Sequence, residues 1–218
     1  MIDAPPRPRR GLTDPHQWRL WLAGLIGSRY DGLCHFHVVE PGVLMRCGQP
    51  RNADLEWIRA EHGLRTAVCA RGGTRHPLRG RWFRRERAYC EANGITLEHL
   101  PFSDAAAPLA DVFERFLALV ADPECRPVLV HCEQGFHRTG LLCAAYRVRL
   151  SGWPLERALE EMRAFGFDFD RAKRRPLLQA LTHWAAGHAA SSSDHSTPSC
   201  HAGRPAAAGI RPAETRSP

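Results

Sequence analysis

Apolar residues recur at two different periods along the chain, and the switches between periods outline its elements. Trp18, Trp21, Leu22 and Leu25 fall at i, i+3, i+4 and i+7, one stripe of a short amphipathic helix over residues 16–29. From residue 30 to 186, short β-like runs alternate with helical spacings. Residues 35–39 and 44–47 flank Pro41-Gly42, a turn signal, and read as a hairpin. Residues 66–69, 96–100 and 127–131 read as further strands. Between them, residues 54–61, 79–92 and 109–122 carry helical spacing, clearest in Val112, Phe113, Phe116, Leu117 and Val120. After His131 the pattern is helical throughout, over residues 139–150, 155–165 and 171–186. This alternation predicts an α/β chain with a central, mostly parallel sheet flanked by helices.

Length and composition narrow the picture. With 218 residues, 44% hydrophobic and 24% charged, the chain can bury one sizeable core, so residues 30–186 are expected to be a single domain. Residues 1–15 are rich in Pro and Arg, and residues 187–218 are mostly Ala, Ser, Pro, Gly and Arg. Neither segment has the apolar content to offset its ordering entropy, and both are expected to be disordered tails. No apolar run approaches the roughly 18–20 residues of a membrane-spanning helix. The net charge of +7 is almost all guanidinium, since Lys173 is the one lysine among 30 Lys+Arg residues. Guanidinium is a permanently charged fork suited to phosphate, so an anionic substrate or partner is one reading and a solvated basic surface the other. Eight cysteines include no C-x-x-C pair, which argues against a zinc site or a redox dithiol. A reduced, cytoplasmic setting is expected; Asp3 and Asp14 interrupt the basic stretch that a secretory signal would need.

The segment that carries chemistry is His131-Cys132-Glu133-Gln134-Gly135-Phe136-His137-Arg138-Thr139-Gly140, set between the apolar run Val128-Leu129-Val130 and a strongly apolar helix. Strand, tight loop and helix N-terminus together make an anion cradle, because the first turn of a helix leaves N–H groups unpaired and carries partial positive charge. A cysteine at the mouth of such a loop has its thiol pKa lowered and becomes a nucleophilic thiolate near neutral pH. Gly135 lets the loop turn tightly. Arg138 can reach back to hold two phosphoryl oxygens, and Thr139 can hydrogen-bond the sulfur. Spacing alone is weak: C-x5-R is expected about once per chain at this composition, and Cys69 to Arg75 and Cys143 to Arg149 also have it. Requiring His before the cysteine, Gly three after it, and Arg-Ser/Thr-Gly at the end lowers the chance expectation to roughly 3 in 100,000. Only Cys132 passes.

That loop resembles the H-C-x5-R-[ST] signature of the cysteine-dependent protein tyrosine and dual-specificity phosphatases. With Val39-Glu40-Pro41-Gly42-Val43-Leu44-Met45-Arg46-Cys47-Gly48-Gln49-Pro50 upstream and Trp153-Pro154 downstream, the chain is similar to the compact atypical dual-specificity phosphatases of plants, fungi and bacteria over about residues 35–170. The resemblance implies a protein tyrosine phosphatase-like fold and a two-step reaction through a cysteinyl-phosphate, with no metal or other cofactor. It makes Cys132 the nucleophile, Arg138 the phosphate clamp, and Glu133, Gln134, Gly135, Phe136 and His137 the substrate-binding loop. Family members that hydrolyse inositol pyrophosphates carry basic residues where this chain has Glu133, Gln134 and Phe136. His137 and Arg138 are kept.

A general acid is expected from a neighbouring loop. Asp104, in Ser103-Asp104-Ala105 after the fourth strand, is the candidate; Asp111 is the alternative, although at a helix start it reads as a favourable N-terminal charge. Between Arg71 and Arg87 lie seven arginines and one acid, Glu86, with Trp82 and Phe83 interleaved. On a helix, either Trp82, Glu86 and Tyr89 or Phe83 and Cys90 form the inner stripe and most arginines project outward, a solvated face; a nucleic-acid contact is the alternative. His35, His37, His62 and His99 have no ligand-like spacing. The partners anticipated are a phosphorylated protein or small phosphorylated molecule. The competing readings are inositol (pyro)phosphate or RNA 5′-phosphate hydrolysis, and a phosphate-binding module without turnover.

Overall fold

A computed structural model describes residues 33–72, 80–109 and 111–193. The amphipathic helix expected over residues 16–29 and both expected tail segments up to 15 and beyond 193 lie outside the described residues. In chain order the elements are β1 (His37–Glu40), β2 (Leu44–Cys47), α1 (Asn52–His62), β3 (Thr66–Cys69), α2 (Arg81–Ala92), β4 (Thr96–His99), α3 (Asp111–Ala121), β5 (Val128–His131), α4 (Arg138–Arg149), α5 (Leu155–Ala164) and α6 (Arg175–Ser193). Single 3-10 turns occur at Pro123–Cys125 and Ala172–Arg174. Boundaries agree with the periodicity to within a few residues, except that α6 starts late, after a 3-10 turn, and continues past residue 186 to Ser193.

The five strands form one sheet in the order β1-β2-β5-β3-β4. The hairpin pair β1 and β2 is antiparallel, and the remaining pairs are parallel. Strand β5 is therefore central, with His131 in register with Cys47 of β2 on one side and Cys69 of β3 on the other. Successive side chains on a strand face opposite ways. Accordingly Val128 and Val130 enter the core beneath α3, α4, α5 and α6, while Leu129 enters the core beneath α1 and α2. Both faces of β5 are covered, which explains why it reads as an unbroken apolar run.

Helix α4 is buried along most of its length, from Thr139 to Arg147, and packs against α3, α5, α6, β2 and β5. At its far end Arg147 donates to Glu161 of α5 at 2.9 Å and to the Val39 carbonyl of β1 at 2.9 Å, a buried pair that locks three elements together. Such a fixed helix holds its N-terminus, and whatever the preceding loop presents, in one place.

Candidate active site

Past His131 the chain leaves the sheet, crosses residues 132–137, and enters α4 at Arg138. Three successive carbonyls of this loop are taken by groups outside it. The Gln49 backbone N–H donates to the Glu133 carbonyl at 3.1 Å, His35 Nδ1 meets the Gln134 carbonyl at 2.8 Å, and Arg46 Nη2 donates to the Gly135 carbonyl at 2.7 Å. In a trans peptide the N–H points opposite to its C=O, so the N–H groups of Gln134, Gly135 and Phe136 are turned to the inside of the loop. The Gly135 N–H duly donates to Cys132 Sγ at 3.3 Å. Gly135 has φ of +84°, and a Cβ there would lie 2.7 Å from the Gly48 nitrogen and 2.8 Å from the Cys47 carbonyl carbon. Only glycine fits both constraints.

The sulfur at the centre of this ring is buried. Burial by itself pushes a thiol up, yet the Arg138 charge, the Thr139 hydroxyl and the N–H groups of Thr139 and Gly135 outweigh it, and the Cys132 thiol lies below its ordinary value of 9.0. The Thr139 hydroxyl, fully buried, makes no geometrically complete hydrogen bond and so is available to the sulfur. Elsewhere burial wins: Cys90 is pushed up to about 12 and Cys143 to about 11, and Cys47, Cys69 and Cys125 also rise.

Arg138 closes the ring. Its Nη1 stands 3.5 Å from the carbonyls of Ala70 and Phe102, and its Nε is buried without a partner, leaving a guanidinium edge for an anion. His137, kept on the motif as a basic residue, is not a cation here. Burial first, then the charge of Arg174, lowers it to about 4, so it is neutral at pH 7. Its ring packs edge-on against Phe136 and Phe167, and Phe136 packs in turn on His35.

Asp104 does lie beside this mouth, within the field of Arg138, but as half of an ion pair. Its Oδ2 is 2.5 Å from Arg174 Nη1 and 3.8 Å from Lys173 Nζ, and its backbone carbonyl also accepts from Arg174. Partial burial would raise the carboxyl; the hydrogen bond and charge of Arg174, with Lys173 and Arg138, take it below the ordinary 3.8 instead. In this arrangement the carboxyl is held toward its anionic form by its cationic neighbours. Asp111 opens α3 and faces Arg115 one turn on, at 3.7 Å.

Behind the loop, His131 Nε2 is 2.6 Å from Glu86 Oε1, and Gln49 Nε2 donates to the other Glu86 oxygen at 2.9 Å, all buried. Although burial opposes it, the Glu86 charge raises His131 well above its ordinary value. Cys69, Glu86 and His131 bring possible metal-binding atoms within 4.8 Å of one another. The same contacts form a buried chain from Gln49 through Glu86 to His131 that anchors the strand end. The arginine-rich stretch is described at Arg71 and from residue 80 onward; Arg81, Arg84, Arg85 and Arg87 are exposed on α2, Trp82 and Tyr89 are half-buried, and Phe83, Glu86 and Cys90 face inward.

Four contributors escaped the motif: Arg46, His35, Glu86 as partner of His131, and Arg174. Arg46 left a trace, a charged residue inside the buried strand Leu44–Cys47. The others reach the site from distant segments of the chain and leave no local pattern.

A cysteine held below its ordinary pKa at a strand–loop–helix turn, on a mostly parallel sheet, is the architecture of the protein tyrosine phosphatase fold. Solved structures agree: the core catalytic domain of the PP-IP phosphatase SIW14 from Saccharomyces cerevisiae superposes with a TM-score of 0.56 at 23% identity, covering 73% of this chain and 92% of that one. TpbA of Pseudomonas aeruginosa gives 0.54 at 25% identity, covering 71% and 90%. Residues 37–177 match the family described as DSP-PTPase phosphatase fused to NAD+ kinase, and the chain belongs to that family. In sequence it is 37% identical over 82 residues to the dual specificity protein phosphatase TpbA of Pseudomonas aeruginosa strain UCBPP-PA14, 38% of each chain. It is 32% identical over 95 residues to the inositol diphosphatase SIW14 of Saccharomyces cerevisiae, 42% of this chain and 34% of that one. The chain thus spans under two-fifths of the length of these curated relatives. Among the described residues, no helix is long and apolar enough to cross a membrane.

Proposed function

We propose that this protein is a phosphomonoester hydrolase of the protein tyrosine or dual-specificity type. One observation carries the reading: a cysteine whose thiol is lowered against its own burial sits inside a ring of inward N–H groups, with the unpartnered Nε of Arg138 beside it. In the first step the Cys132 thiolate attacks phosphorus, the bond from phosphorus to the ester oxygen breaks, and the leaving oxygen takes a proton. In the second, water attacks phosphorus and gives a proton back to the group that supplied one, the S–P bond breaks, inorganic phosphate leaves and the thiolate is regenerated. Loop N–H groups and Arg138 stabilise the equatorial oxygens in both steps, and Thr139 supports the sulfur as leaving group.

Asp104 supplies the proton in this scheme, since the negative charge of a phosphate bound beside Arg138 raises its carboxyl against the pull of Arg174. Phosphorylated proteins or small phosphorylated molecules are the substrates, and a reducing, cytoplasmic setting suits a mechanism that needs a free thiolate.

The test is hydrolysis of p-nitrophenyl phosphate in the presence of a chelator. Wild type should turn over, and Cys132→Ser should not, while still binding vanadate. Asp104→Asn should lose roughly 10²-fold or more on alkyl phosphates, which need a proton, and much less on p-nitrophenyl phosphate. Equal losses on both substrates would remove Asp104 from the scheme. Metal-dependent turnover that survives Cys132→Ser would remove the whole reading.

A further inference from the structure

Two ion-pair groups flank Arg138. On one side Arg71 Nη2 is 3.2 Å from Glu133 Oε1, its Nη1 donates to Gln49 Oε1 at 3.2 Å, and its guanidinium lies over the Trp82 ring at 4.2 Å. On the other side Arg174 and Lys173 are drawn to Asp104. Arg138 stands between the two groups: the carbonyls facing its Nη1 belong to Ala70, the residue before Arg71, and to Phe102, two residues before Asp104. A single phosphoryl dianion is matched by the loop N–H groups and Arg138. A second phosphoryl group attached to the first would need a further cation at the rim, and there the guanidinium of Arg71 already faces an acid of the loop itself.

The geometry points to the Arg71–Glu133 pair as a selectivity element, setting the site for isolated phosphomonoesters over diphosphates. This rests on the phosphatase reading and goes beyond it. Glu133 acts twice, by adding negative charge where a second phosphoryl group would sit and by holding Arg71 against Trp82 and Gln49. Glu133→Gln keeps the side-chain shape, removes the charge, and frees Arg71 to meet a second phosphoryl group.

Binding of orthophosphate and of pyrophosphate, by calorimetry at low ionic strength, tests this on the full chain carrying Cys132→Ser so that nothing turns over. Adding Glu133→Gln should tighten pyrophosphate binding about tenfold and orthophosphate binding far less, with the difference shrinking as salt is raised. Adding Arg71→Gln as well should cancel the gain, because it removes one positive charge where Glu133→Gln removed one negative charge. Arg71→Gln alone leaves Glu133 uncompensated and should shift the ratio of the two affinities the other way, which decides the matter should Glu133→Gln fail to fold. An unchanged ratio, a gain that survives loss of Arg71, or no binding of either anion by any variant would overturn the proposal. The phosphatase reading is judged separately, by aryl phosphate hydrolysis in the chain with Cys132 intact.

Discussion

Cys69 and Cys132 end neighbouring parallel strands and share the spacing C-x5-R, yet they have opposite chemistry. Cys69 is the last residue of β3, in register with His131, and its thiol faces the buried Glu86 and His131. Burial pushes it up, and the Glu86 carboxylate adds to that against the contrary pull of His131. Cys132 sits one residue beyond the end of β5, as deeply buried as Cys69, and its thiol is lowered. What sets Cys132 apart is the backbone on the C-terminal side of its own sulfur. Beyond Cys132 come a positive-φ glycine, a helix N-terminus and Arg138, so that N–H groups converge on the sulfur. Burial without converging donors makes a hydrophobe; burial with them makes an anion site.

Exchanging the two cysteines for serine breaks the comparison most directly. Cys132→Ser should cost at least ~10³-fold in aryl phosphate hydrolysis, whereas Cys69→Ser should stay near wild type; a dead Cys69→Ser and a live Cys132→Ser would reverse the assignment. Next is Gly135→Ala, where the new methyl meets the backbone of Cys47 and Gly48 at a backbone angle L-residues avoid. Unfolding measurements should show a loss of about 1–3 kcal/mol, with activity falling further than stability does.

Arg46→Met sharpens the comparison from behind the loop. It preserves bulk beneath Phe165 but leaves the Gly135 carbonyl without its donor, a cost of about 1–3 kcal/mol. If Arg46 is a positioning residue, the Cys132 thiol should also move up, and the acid limb of kcat/KM with it; a stability loss with an unmoved limb would make Arg46 purely structural. The smallest effect concerns reactivity in the wild-type protein. Alkylation by iodoacetate tracks the thiolate, so the rate at Cys132 should rise with pH with a midpoint below pH 9, the ordinary thiol value. Cys143 and Cys90, at about 11 and about 12, should remain unmodified over that range. Mass spectrometry that finds Cys143 alkylated as fast as Cys132 would contradict the electrostatic difference between them.

The order of residues was enough to establish the alternation of strands and helices, the hairpin about Pro41-Gly42, the apolar strand β5, and the loop at Cys132 with its arginine. These are local: a strand that is apolar on both faces, a helix stripe, and a ten-residue motif whose geometry comes from its own backbone. How that loop is held and charged was settled by packing in three dimensions. His35, Arg46 and Glu86 reach residues 131–135 across 99, 89 and 45 positions of chain. The charge state of two residues at the mouth has the same origin, since burial and Arg174 lower His137 and the same Arg174 holds the Asp104 carboxyl down. Protonation depends on neighbours within a few ångströms and on access to water, and both are set by contacts between distant segments rather than by the succession of residues along one.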